Sequence, residues 1–284
     1  MSHRSRIGIA ILVAVSALFV AAPTEARFIP RLNQVKADKG EIYRHGCMAG
    51  HDEVRSGPCR FGDLRSRRKV VLFGDSHALQ WGSGLIRLAK RKRWQVIALT
   101  RASCPASLVD TDPICDRWRR NSLRRIRRMR PRLVVVSSAA NDEAYKVYVD
   151  GWKLSREESQ PYLVDGMVDV LRKLRRWSRR TVAIDDPALT PFNVTMCLRA
   201  HSTRPGRCGF HPDRPRGWDY VRAAAMRVHR VPLIDPMPML CRDDWCRAVE
   251  RDHLVYRSQG HLSASFVRWK YRWLGRRLGV LPRP

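Results

Sequence analysis

Acidic residues are scarce in this sequence. Its 284 residues carry 26 Asp and Glu against 55 Lys and Arg, a formal net charge of +29 at pH 7. A chain this basic attracts anionic partners in a salt-dependent way, unless its arginines simply form a solvated surface. Other absences narrow the field further. No Cys-x-x-Cys occurs and no Cys/His cluster has zinc-finger spacing, so the cysteines do not read as a metal site. No internal repeat is visible, which excludes a solenoid or propeller. Beyond the N-terminus no apolar run is long enough to suggest a membrane span. No cofactor or metal is expected.

What is present begins with an export signature. Met1 to Arg6 is basic, Ile7 to Ala22 is apolar, and Thr24-Glu25-Ala26 supplies small residues at a cleavage position. The spacing predicts a signal peptide over 1–26, removed after Ala26; the alternative is an uncleaved anchor. Either places the folded part in the periplasm or cell envelope. Eight cysteines agree with that compartment. They fall as neighbours, Cys47 with Cys59, Cys104 with Cys115, Cys197 with Cys208 and Cys241 with Cys246. Local pairing is the simplest of the many connectivities open to eight cysteines. Export also argues against nucleic acid. An anionic membrane surface, a phosphate-bearing wall polymer or an acidic polysaccharide fits the charge better.

Length favours one domain of about 200–250 residues. Residues 27–66 read as an irregular N-terminal extension stapled by Cys47 and Cys59, and 67–284 as the main domain. Strands are expected at Lys69–Phe73, Trp94–Thr100, Leu133–Val136, Thr181–Ile184 and Val231–Ile234. Helices are expected near 78–92, 117–130, 161–178, 219–228 and 263–278. Strands alternating with helices predict an α/β fold, a parallel sheet of about five strands flanked by helices on both faces. Residues 187–218 form an excursion too long for an ordinary connection, hence functional or capping.

The most informative segment is Val70 to His77. Four apolar residues, Val-Val-Leu-Phe, read as a buried strand that stops at Gly74-Asp75-Ser76-His77. The following Ala78 to Lys90 has helical apolar spacing. Ser76 is therefore expected at the carboxyl end of a strand and the amino end of a helix, where open α/β sheets bind ligands. A serine there needs a base to act as nucleophile. The candidate lies far downstream in Tyr256-Arg257-Ser258-Gln259-Gly260-His261-Leu262-Ser263.

Taken in order, Gly74-Asp75-Ser76-His77, Ser103-Cys104-Pro105, the later cysteine pairs, Val255-Tyr256-Arg257 and His261-Leu262-Ser263 resemble the SGNH hydrolase superfamily. More narrowly, they resemble the SGNH domains associated with membrane acyltransferases that O-acylate cell-surface glycans. The resemblance spans roughly residues 68–270. It implies a three-layer SGNH/flavodoxin-like fold, local disulfides at the last three cysteine pairs, Ser76 as nucleophile and His261 as base. His77 stands in the motif without serving as base. The oxyanion donors implied are the Ser76 amide and Asn141, the latter in Ala139-Ala140-Asn141-Asp142, where Ala139 replaces the usual glycine. The family's glycine after the second strand has no counterpart, so an amide of Ala102 or Ser103 would take its role.

One departure bears on mechanism. The family places Asp three residues before the histidine, and here that position is Ser258. Serine can orient the imidazole but offers no charge. Asp235, Asp185 or Asp186 could supply a carboxylate from another loop at the same edge. The resemblance thus implies an exported serine acyl-ester enzyme, an O-acyltransferase or esterase acting on an envelope glycan. Its substrates would be an acyl-ester donor and a glycan acceptor, and transfer would need a separate membrane acyltransferase as partner. The alternative is a degenerate SGNH-fold module that binds anionic glycan or cell-wall polymer.

Overall fold

The computed structural model describes residues 27–140, 145–187, 189–212 and 219–282. The proposed signal segment 1–26 and Asn141 lie outside the described residues. The main sheet contains β1 (Met48–Ala49), β2 (Arg60–Gly62), β3 (Lys69–Gly74), β4 (Gln95–Arg101) and β5 (Leu133–Ser137). After a small hairpin of β6 (Tyr148–Val149) and β7 (Trp152–Lys153), β8 (Thr181–Ile184) and β9 (Leu233–Ile234) complete it. The spatial order is β1-β4-β3-β5-β8-β9, all parallel, with β2 antiparallel on β4.

The period-2 alternation of the strands builds the three layers. Val70, Leu72, Leu133 and Val135 point to one face and join Ile42, Leu85, Phe266 and Leu274 in one core. Val71, Phe73, Val134 and Val136 point to the other and join Trp118, Leu171 and Tyr220. The first face is covered by α1 (Gly40–Arg44), α3 (Gly82–Lys92), α9 (Ala264–Trp269) and α10 (Tyr271–Arg277). The second is covered by α4 (Pro113–Met129), α5 (Arg156–Trp177) and α7 (Tyr220–Arg227). A single turn, α2 (Ser76–Leu79), links β3 to α3.

Several elements start earlier than the sequence reading placed them, for capping reasons. α4 begins at Pro113 because Asp112 accepts from the amides of Ile114 at 3.1 Å and Cys115 at 2.8 Å. α5 begins at Arg156, not Pro161, through a capping box. Glu158 N donates to Ser155 Oγ at 3.2 Å, and Ser155 N donates to Glu158 Oε2 at 2.8 Å. Residues 27–66 are less irregular than expected, since they add β1 and β2 to the sheet. Four disulfides join Cys47 to Cys59, Cys104 to Cys115, Cys197 to Cys208 and Cys241 to Cys246.

Beyond β8 the chain forms α6 (Val194–Ala200), whose Val194 and Leu198 are buried. After β9 comes α8 (Met237–Leu240). Three hairpins follow: β10 (Cys241–Arg242) with β11 (Trp245–Cys246), β12 (Val249–Glu250) with β13 (His253–Leu254), and β14 (Tyr256–Ser258) with β15 (His261–Leu262). No helix among the described residues is long and apolar enough to cross a membrane.

Candidate active site

At the carboxyl end of β3 the chain turns through Gly74, whose φ is +141°. A Cβ there would lie 1.9 Å from the Ser137 carbonyl oxygen and 2.9 Å from the Ala78 Cβ. Only glycine lets β3, β5 and α2 meet this closely. Asp75 then caps α2 by accepting from the His77 amide at 2.8 Å. Ser76 is therefore the first helical residue and not the cap, which leaves its hydroxyl for another partner.

That partner is His261. Its Nε2 lies 2.9 Å from Ser76 Oγ although 185 residues separate the two. Three ties hold the His261 hairpin over Ser76. The Leu262 amide donates to the buried Gln80 side-chain oxygen at 2.9 Å. The Thr190 amide, in the segment after β8, donates to the Gln259 carbonyl at 2.8 Å. Ser263, immediately beyond, caps α9 and donates its own hydroxyl to the Leu254 carbonyl.

On its other side the His261 ring meets Ser258, with Nδ1 and Oγ 3.2 Å apart. For Nε2 to take a proton from Ser76, the ring hydrogen must sit on Nδ1 and donate to Ser258 Oγ. Among the described residues no carboxylate bonds to this ring. Burial, then the charges of His77, Arg257 and Lys39, lower the His261 pKa from 6.5 to about 2. The resting ring is neutral, as a general base requires, but its protonated form is disfavoured.

The three acids that could have replaced the family's Asp are occupied elsewhere, which corrects that expectation. Asp185 and Asp235 both bind Arg222, at 2.6 Å from Nε and 2.7 Å from the guanidinium end. Asp186 lies 2.5 Å from His77 Nδ1. The His77 ring packs against His261 with centroids 4.4 Å apart. Asp186 also accepts from the Ala140 amide at 2.9 Å, so one buried carboxylate ties α2 to the loop that leads into Asn141. His77 thus packs beside the candidate base and carries an acid of its own.

Asp75 does more than cap. Its second oxygen accepts from Ser138 Oγ at 2.9 Å, from the Ala139 amide at 3.0 Å and from the Tyr145 hydroxyl. Burial, reinforced by Asp75, pushes the Tyr145 pKa well up, so it remains a donor. Nothing in the sequence signalled Tyr145. Of the two amides suggested after β4, that of Ala102 is committed to the Ala49 carbonyl at 3.0 Å. Ser103, exposed and left-handed with φ 48°, remains the candidate beside the Ser76 amide.

The comparisons with known proteins bear on the family and on the fold. The family model described as "SGNH domain (fused to AT3 domains)" matches residues 46–270. No curated protein matches the chain in sequence. Among solved structures, the periplasmic domain of a lipopolysaccharide acetyltransferase from Salmonella ser. Paratyphi A is similar at a TM-score of 0.57 and 15% identity, over 76% of this chain and 85% of that one. A GDSL-like lipase from Bacteroides thetaiotaomicron VPI-5482 aligns over 77% of this chain and 91% of its own, at 13% identity and a TM-score of 0.42. The first of these likenesses speaks to the fold, a mostly parallel sheet flanked by helices. With its family match spanning most of its length, the chain belongs to the SGNH family whose model describes domains found fused to AT3 domains.

Proposed function

We propose that this protein is an exported serine acyl-ester enzyme that transfers acyl groups to, or removes them from, an envelope glycan. The observation that carries the reading is the 2.9 Å contact between Ser76 Oγ and His261 Nε2 at the carboxyl edge of the sheet. Export is supported by four disulfides and by likeness to a periplasmic domain. The glycan acceptor is supported by likeness to a lipopolysaccharide acetyltransferase domain and is the least anchored part of the reading. The family's fusion to AT3 domains makes a membrane acyltransferase the natural donor partner.

In this mechanism Ser76 Oγ attacks the acyl carbonyl while its proton passes to His261 Nε2. The oxyanion faces the Ser76 amide at the start of α2, with Asn141 and the Ser103 amide as further donors. Collapse of the tetrahedral adduct expels the alkoxide, which takes the proton back from Nε2, and leaves an ester on Ser76. A sugar hydroxyl or water then gives its proton to Nε2 and attacks that ester, and collapse of the second adduct expels Ser76 Oγ, which takes the proton back from Nε2. Ser258 holds the tautomer throughout, and among the described residues no carboxylate at Nδ1 offsets the charge on the imidazolium. In serine proteases the loss of that carboxylate lowers turnover by about 10⁴-fold, so a slow enzyme is expected.

That missing charge also supports a second reading, a module that kept the fold and binds anionic glycan or wall polymer without turnover. Hydrolysis of a small activated acetyl ester by oxidised protein from Arg27 onward separates the two. The enzyme reading expects turnover that vanishes in Ser76→Ala, a change removing one oxygen and no packing. Equal background in both proteins favours the binding module.

A further inference from the structure

The edge of the sheet opposite Ser76 carries a second constellation. A cleft of about 550 Å³ opens there, lined by Arg68, Lys92, Arg132, Arg179 and Arg180, with Trp94, Val70, Leu133 and Val280 as its apolar walls. Among the described residues no Asp or Glu lines it. Among the described residues none of the five cationic side chains forms an ion pair. Since β3 runs six residues from Lys69 to Gly74, this cleft and Ser76 lie roughly 20 Å apart at about 3.3 Å per residue.

The parallel topology assembles the cleft. Arg68, Arg132 and Arg180 each immediately precede a strand, so three distant segments meet at one edge. Backbone bonds fix them: Arg132 N to Lys69 O at 2.9 Å, Arg179 N to Pro131 O at 3.1 Å, and Val134 N to Arg180 O at 2.9 Å. The Arg180 guanidinium lies over Gly279, where an added Cβ would come within 2.7 Å of it. The arginine lining thus sits on the short connections that lead into β3, β5 and β8, where backbone bonds to neighbouring segments hold it.

Helix ends account for only part of this charge. α3, α4, α5 and α10 finish near this edge, and each carboxyl terminus carries about −0.5 charge, together about −2 against five cations. The excess, about three positive charges, sits in a concave site where an anion would be held from several sides. Guanidinium forks suit tetrahedral phosphate oxygens, and multiple charges suit a phosphate more than a single carboxylate.

We propose that this cleft is a binding site for a phosphate-bearing group, either an anionic lipid headgroup or a soluble phosphate ester. It is separate from the acyl-transfer site and independent of whether that site turns over. In the envelope such a site would hold the protein on a phosphate-bearing surface with Ser76 facing away from it.

The test uses oxidised protein from Arg27 onward and two phosphate probes, pyrophosphate in solution and vesicles of phosphatidylglycerol against phosphatidylcholine, with glucuronate as the carboxylate control. R132Q/R179Q/R180Q is compared with R117Q/R120Q/R127Q, which removes the same charge from the exposed face of α4. The expected result is at least a ten-fold loss of binding in the cleft variant and less than about two-fold in the control, for one probe or both. Pyrophosphate binding identifies a soluble phosphate; binding of anionic vesicles alone identifies a lipid. R132Q alone, with an intermediate loss, guards against a folding defect in the triple variant. Equal losses in both triple variants, no loss in either, or glucuronate binding as tightly as pyrophosphate, overturns the proposal.

Discussion

In the proposed mechanism, Ser258 would set how fast this site can run. Its hydroxyl stands 3.2 Å from His261 Nδ1, where a carboxylate would otherwise face the ring, and it is exposed. It can orient the imidazole but cannot stabilise the imidazolium, and burial holds the His261 pKa near 2. Two consequences follow with defined sign. Because His261 stays neutral in acid, the acid limb of kcat/KM falls well below the ordinary histidine value of about 6.5. Folding stability moves oppositely. The unfolded chain takes up a proton near pH 6.5 and the native ring does not until about pH 2, so this group's contribution weakens as pH falls through that window and is restored above it. Ser258→Asp brings a carboxylate to Nδ1. We expect its turnover to rise at least ten-fold, within the roughly 10⁴-fold range known for triad carboxylates, and its acid limb to move up in pH. A pH–rate profile of the two proteins checks both; unchanged turnover and limb would show that Ser258 does not govern the base.

At the level of elements, the site is a junction of segments that meet only in the folded chain. Ser76 comes from the β3–α2 turn, His261 from the β14–β15 hairpin, Asp186 from the end of β8 and Tyr145 from the segment after β5. Asp186 bonds both His77 and the Ala140 amide. In Asp186→Asn the His77 ring loses its carboxyl partner beside His261, and the link from α2 to the Ala140 amide weakens. Removing one member of a buried pair is expected to cost on the order of 3 kcal/mol of stability. The expected kinetic result is a lower kcat with little change in KM for a small ester, measured beside a thermal melt. A KM effect alone would mean that Asp186 shapes binding and not the catalytic geometry.

Much of this was legible in the sequence. The apolar strands are continuous enough to mark the buried parallel sheet, and the Gly-Asp-Ser-His turn announced where Ser76 would stand. The order of Ser76 and His261 within the family pattern paired them before any geometry was known. Capping overrides periodicity at two helix starts: Asp112 and the Ser155/Glu158 box begin α4 and α5 upstream of their apolar spacing. The roles of the acids were not legible, because Asp185, Asp186 and Asp235 all cluster at one sheet edge. Which imidazole or guanidinium each one faces depends on side-chain directions that spacing does not encode. Tyr145 and the buried Arg119, which binds the Ser107 and Val109 carbonyls and Asp116, were invisible for the same reason.

For the molecule as a whole, the two edges of one sheet divide the chemistry. The carboxyl edge gathers Ser76, His261 and buried carboxylates, while the amino edge gathers unpaired cations. The net charge of +29 thus includes a cluster of five cations at the amino edge that no acid pairs among the described residues. The central claim is that Ser76 carries an acyl group during turnover, and peptide mass analysis tests it most directly. Oxidised protein would be mixed with an activated acetyl ester, quenched in acid and digested. The account predicts one acetyl group on the peptide containing Ser76, accumulating because the charge-poor base resolves the ester slowly, and absent in Ser76→Ala. Turnover without acetyl at Ser76, or acetylation that persists in Ser76→Ala, would contradict it.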